Sequence, residues 1–112
     1  MIGAKQLMNN DQIEQLENLV EQNPENALMH YTLGIEYLRQ GENQKGVSVL
    51  KKTISLEPEY SAAYRELGKA LLNSDMKQEA MEVFNKGIAV AEERGDIQTA
   101  REMRVFLKRI SS

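Results

Sequence analysis

A single histidine, His30, and no cysteine are all that the chain offers among the residues that most often ligate transition metals or act as general bases and nucleophiles. One imidazole without thiolates leaves metal coordination without a ligand set. Glu57 with Glu59, and Glu92 with Glu93, are carboxylates close enough in sequence to suggest an acid and base pair. Both pairs fall at the ends of expected helices, where such groups are solvated. Asp11, Asp75 and Asp96 stand at expected helix starts, where a carboxylate accepts backbone N–H groups and suits the helix dipole. No glycine-rich phosphate loop follows a strand, because no strand is expected. The expectation is therefore no catalytic residue, no metal and no cofactor: not an enzyme. What remains is basic side chains at helical spacing. Arg65 and Lys69 are four residues apart and share a helix face.

The elements that position these groups follow from composition and pattern. The 112 residues suit one domain, residues 1–112, with 41% hydrophobic and 28% charged residues. A net charge of −3 argues against nucleic-acid binding, which rests on neutralising phosphates. The charge is uneven: residues 1–60 hold five basic and nine acidic side chains, residues 61–112 nine and eight. No apolar run reaches the length of a membrane span, and the start, Met1-Ile2-Gly3-Ala4-Lys5, lacks the apolar core of a secretory signal, so no membrane is expected and the cytoplasm is the expected location.

Residues 27–60 recur as residues 61–94, a period of 34. Leu33-Gly34 returns as Leu67-Gly68, Leu38 as Leu72, Val49 as Val83, Lys52 as Lys86 and Ile54 as Ile88. The first copy reads His30-x-x-Leu33-Gly34-x-x-Tyr37, then Gly46-x-x-x-Leu50, then Pro58; the second reads Tyr64-x-x-Leu67-Gly68-x-x-Leu71, then Ala80-x-x-x-Phe84. This pattern resembles the tetratricopeptide repeat (TPR) over residues 24–94 and more weakly over 11–23. His30 and Tyr64 stand where that family usually has Trp or Leu, so His30 takes a packing role. Gly46 replaces Ala, Leu71 replaces Tyr, and Glu92 replaces the closing Pro. Without that proline the last helix of the second repeat should run on.

The resemblance implies an all-α, right-handed αα superhelix, similar to small stand-alone bacterial TPR-like proteins. About five helices are expected: two complete pairs, at 27–60 and 61–94, with a flanking helix at each end, at 11–23 and 96–110. Residues 1–10 have little pattern and read as a frayed lead-in. Asp11 with Glu14 resembles a capping box that opens a helix through Ile13, Leu16, Leu19 and Val20 to Gln22, stopped by Asn23-Pro24. Because Pro24 precedes Pro58 by one full period, this helix takes the place of a repeat's second helix. Asn26 caps a helix from Ala27 to Arg39 that ends at Gly41, and a partner runs from Asn43 to Leu56. Ser61 caps a helix to Asn73, and Asp75 caps one from Met76 to Glu93 that ends at Gly95. Asp96 caps the last, whose apolar stripe is Ala100, Met103, Leu107 and Ile110 with Arg101, Arg104 and Lys108 beside it. That helix departs from the repeat's Leu-Gly core and reads as an end cap.

Antiparallel helices pack with axes about 8–10 Å apart, and the closest crossings admit only small side chains. Gly34, Gly46, Gly68, Ala80 and Gly87 supply them, with Tyr37, Leu50, Leu71 and Phe84 filling the space between. A helix-interior glycine costs about 1 kcal/mol relative to Ala, which a close crossing must return.

The family resemblance also implies where a partner binds. Contacts in TPR proteins come from the second, fifth, ninth, twelfth and thirteenth positions of each repeat, on the first helices that line a concave groove. Here these are Leu28, Tyr31, Ile35, Leu38 and Arg39, then Ala62, Arg65, Lys69, Leu72 and Asn73. Arg39, Arg65 and Lys69 form a basic strip beside apolar Tyr31 and Ile35, suited to a protein or peptide segment that carries carboxylates. The carboxylate clamp of chaperone-binding TPR proteins is absent, because Tyr31 and Ile35, or Arg65 and Lys69, occupy its Lys and Asn positions. The function implied is that of an adaptor without chemistry. The alternative is a homo-oligomer assembled through the end helices, acidic at Asp11 to Glu21 and basic at Arg101 to Arg109.

Overall fold

The computed structural model describes the backbone of residues 4–111 and the side chains of residues 11–111. Within these residues there are six helices and no strand: α1 (Ala4–Gln22), α2 (Ala27–Arg39), α3 (Asn43–Leu56), α4 (Ser61–Asn73), α5 (Lys77–Arg94) and α6 (Ile97–Ser111). The expected count of five is corrected to six, because two pairs with a flank at each end are six separate helices once Gly95 breaks α5 from α6.

The expected lead-in is also corrected, as far as residues 1–3 leave it within the described part. Helix α1 begins at Ala4, since nothing between Ala4 and Gln22 is Gly or Pro. Asp11 therefore lies inside the helix and caps nothing. Pro24, with no N–H to give, ends α1, and the Asn26 side chain accepts the Met29 N–H at 3.0 Å to start α2.

Each helix packs against the next, and α2 also meets α4 as α4 meets α6. Helices α2, α4 and α6 thus form one layer and α1, α3 and α5 the other. The proline turns repeat too: His30 Nε2–H donates to the Pro24 carbonyl at 2.8 Å, and one period later the Tyr64 hydroxyl donates to that of Pro58 at 2.6 Å. His30 is buried, in the packing role its position implied.

All four glycines within the helix pairs sit at close crossings. A Cβ on Gly34 would lie 3.0 Å from Leu50 Cγ, on Gly46 2.5 Å from Leu38 Cδ2, on Gly68 2.3 Å from Phe84 Cε1, and on Gly87 2.5 Å from Tyr64 Cβ. Leu50, Leu71, Phe84 and Met103 are fully buried around these crossings, and Phe84 stacks on Phe106 with centroids 5.5 Å apart.

Two expected caps are reassigned. Asp75 has φ +59° and ends α4 in the left-handed conformation, as Gly41 at φ +81° ends α2. The Met76 N–H bonds back to Leu71 O at 2.9 Å, as Glu42 does to Tyr37 O, so the α4 terminus claims Asp75 and α5 is left with Met76 as its N-cap. Aspartate is among the few non-glycine residues that tolerate this region. Asp75→Gly should therefore stabilise the fold by about 0.5 kcal/mol, the relieved backbone strain exceeding the added chain entropy of glycine. A urea midpoint that falls instead would contradict the strain.

Ser61 is the first residue of α4, and Tyr60 is its N-cap. The Ser61 hydroxyl turns inward and donates to Asp96 Oδ2 at 2.6 Å, which ties α4 to the α5–α6 turn. With Glu92 in place of proline, α5 runs on to Arg94, 18 residues against 14 for α3.

Candidate functional site

The ten expected contact residues, five on α2 and five on α4, divide by the way their helices turn. Ile35, Leu38, Arg39, Lys69 and Asn73 come together around a depression of about 230 Å³, which Asn43, Glu66 and Ala70 complete. Tyr31 and Arg65 form a second cluster. The Tyr31 ring lies 4.9 Å from that of Tyr60, and the Arg65 charge acts on the Tyr31 phenol. Leu72 packs partly inward against the core, as Leu38 also does where it meets Gly46. Leu28 and Ala62 stand apart from both clusters. Leu28 is 61% exposed, and Ala62 lines a separate depression with Glu57, Tyr60, Ser61 and Asp96.

The basic strip is charge-matched. Arg39 Nη1 lies 3.0 Å from Glu36, Arg65 lies 2.8 Å from Glu66 and 3.2 Å from Glu102, and Lys69 lies 3.5 Å from Glu66. Burial works against the Arg65 charge, but the hydrogen bond and charge of Glu66, with Glu102 beside it, outweigh burial and hold the guanidinium above its usual range. Burial pushes the Tyr31 phenol up, Glu66 adds to this, and Arg65 opposes it. At the edge of the layer the Tyr37 phenol, buried and hydrogen-bonded to Glu17, is pushed up to about 12.

Glu66, Ala70, Asn43, Glu102 and Phe106 are the residues around these clusters that the repeat positions missed. Glu66 was accessible to sequence reasoning as the residue one helical turn before Lys69. Asn43, which donates to Ala70 O at 3.1 Å, and Glu102 and Phe106, which reach α4 from α6, depend on tertiary placement. Helix α6 is more than an end cap. It packs on α5 and α4 as α4 packs on α3 and α2, and at an offset of 36 its buried Ala100 and Met103 take the places of Tyr64 and Leu67. The four extra residues of α5 and the shorter turn that follows it move the register from 34 to 36. Among the described residues, no group of three or more His, Cys, Asp or Glu is placed to hold a metal ion, and no helix is long and apolar enough to cross a membrane.

Two layers of alternating helices, joined by close crossings, define a helical-repeat protein. The chain belongs to the tetratricopeptide repeat family, whose fold is a right-handed αα superhelix. It is 34% identical over 98 residues to TPR repeat-containing protein PA0015 of Pseudomonas aeruginosa, covering 88% of this chain and 93% of that protein. The solution structure of BPP2914 from Bordetella parapertussis is similar at a TM-score of 0.77 and 32% identity, over 88% of this chain and 86% of that one. The TPR2B domain of yeast Sti1, in its complex with pHsp70, shares the fold at a TM-score of 0.86 and 15% identity, over 96% and 86% of the two chains. No family model matches the chain.

Proposed function

We propose that the chain is a protein-interaction module, with repeats at 27–60 and 61–94, that holds a segment of another protein in its groove and does no chemistry of its own. The observation that carries this reading is the depression between α2 and α4. Apolar Ile35, Leu38 and Ala70 lie beside Arg39, Lys69, Asn43 and Asn73, a lining that suits one apolar anchor with polar or acidic neighbours. That a TPR domain of the same fold occurs in complex with pHsp70 supports the class of ligand.

The ion pairs refine the energetics. A ligand carboxylate that reaches Lys69 or Arg65 replaces Glu66 or Glu102, exchanging one ion pair for another, so charge selects the ligand more than it drives binding. The apolar anchor supplies most of the affinity. Peptides selected from a random display library on the folded protein should thus be enriched in Asp and Glu around one apolar residue. Arg65→Glu with Lys69→Glu should abolish the acidic enrichment and remove the salt dependence of binding. Tyr31→Ala should weaken binding about tenfold at every salt concentration, because an aromatic anchor's contact is not screened. Binders indifferent to all three substitutions would place the site elsewhere.

A further inference from the structure

Among the described residues the helices alternate outer, inner, outer, inner, outer, inner, with a second-type helix, α1, at one end of the described stack and a first-type helix, α6, at the other. Within these residues each of the two has neighbours on one side only. Helix α1 stands one period before α3 in register, so Leu16 and Leu19 occupy the places of Leu50 and Thr53. Those two are fully buried, whereas Leu19 is 41% exposed. On α6, Ile97 and Val105 are 56% and 45% exposed.

We infer that the occupant of each end is a second copy of this chain, with α6 of one copy packed against α1 of the next so that the alternation of helices continues unbroken. Charge selects this arrangement over its mirror. Helix α1 carries Asp11, Glu14, Glu17 and Glu21 against Lys5, a net −3; α6 carries Arg101, Arg104, Lys108 and Arg109 against Glu102, a net +3. Pairing α1 with α1, or α6 with α6, would set like charges together, and pairing α1 with α6 neutralises them. Because the two surfaces differ, the contact is head-to-tail and does not close at a dimer. It is also weaker than the crossings inside the chain. Where those have glycine or alanine, α1 has Gln12 and α6 has Arg104, so the two helices meet at a wider spacing and association is concentration-dependent.

The contact uses neither α2 nor α4, which hold the groove depression between them. Its test is sedimentation equilibrium of the full chain at low salt and in 1 M NaCl, where the screening length falls to about 3 Å. The weight-average mass should rise with concentration past twice 12.7 kDa at low salt and fall back in 1 M NaCl. A monomer at every concentration up to millimolar, or a mass that levels off at a dimer, would overturn it. Leu19→Lys blocks the acidic end and Arg104→Glu, at the crossing position of α6, the basic end, both at exposed positions, with folding verified by far-UV circular dichroism. Each variant alone should be monomeric, and their mixture should form a 1:1 heterodimer that grows no further, since the pairing uses the one open end of each variant and leaves only blocked ends outward. If either variant still self-associates, the contact is not head-to-tail through these ends.

Discussion

Gly87→Leu is expected to destabilise the fold by about 3 kcal/mol, well beyond the effect of the same change on an exposed helix face. The reason lies in what surrounds the position. A Cβ there would stand 2.5 Å from Tyr64 Cβ and 2.7 Å from Met103 Sδ. A Cβ cannot swing aside, because it is fixed to the α4 backbone, and Met103 is fully buried. Relief requires α5 to move away from both α4 and α6. Gly34→Ala offers the contrast. Its added Cβ meets Leu50 Cγ at 3.0 Å, a few tenths of an ångström too close, and the gain of about 1 kcal/mol in helix propensity offsets that strain. Urea denaturation followed at 222 nm should rank Gly87→Leu far below Gly34→Ala, which should fall near the wild type. Equal midpoints for the two would mean that the α4–α5–α6 junction is looser than described.

The second large effect centres on Phe84. Removing its ring leaves a cavity beneath Gly68 and takes away the stacking surface of Phe106, so Phe84→Ala should lose about 3–5 kcal/mol. The same ring is what a side chain at position 68 would strike, at 2.3 Å. Gly68→Ala alone should therefore destabilise the wild type by about 1–3 kcal/mol. In the Phe84→Ala background the obstacle is gone, and Gly68→Ala should be neutral or stabilising through its better helix propensity. The double-mutant cycle would then return a coupling of about 2 kcal/mol or more. Additive values would show that Gly68 does not owe its identity to Phe84.

The repeat period made the helix pairs legible, because each glycine of a crossing recurs opposite a large residue and size complementarity is written directly into side-chain type. Glu92 in the place of proline likewise announced the longer α5. The caps were less legible. Ser and Asp serve equally as N-caps, as left-handed helix ends and as partners of distant side chains, so Asp75 and Ser61 could not be assigned from their neighbours alone. That Ile35, Leu38, Arg39, Lys69 and Asn73 come together was legible from the repeat positions, and the charges around them were not. Which carboxylate meets Arg65 depends on how α6 lies against α4, and that placement follows from the change of register after α5, which belongs to the fold and not to the repeat. Phe106 escaped for the same reason: it lies outside the stripe of Ala100, Met103, Leu107 and Ile110, yet its ring reaches Phe84.

The one-sided packing of α1 has a consequence for how the chain comes apart. Among the described residues helix α1 touches α2 alone, and none of its residues from 11 to 22 is fully buried, whereas α4 and α5 hold most of the buried core between neighbours on both sides. In a linear stack each helix is held only by those next to it, so opening need not be all-or-none. Helix α1 can detach while the core at Phe84 stays closed, and the chain's cooperativity is graded along its axis, lowest at the amino-terminal end.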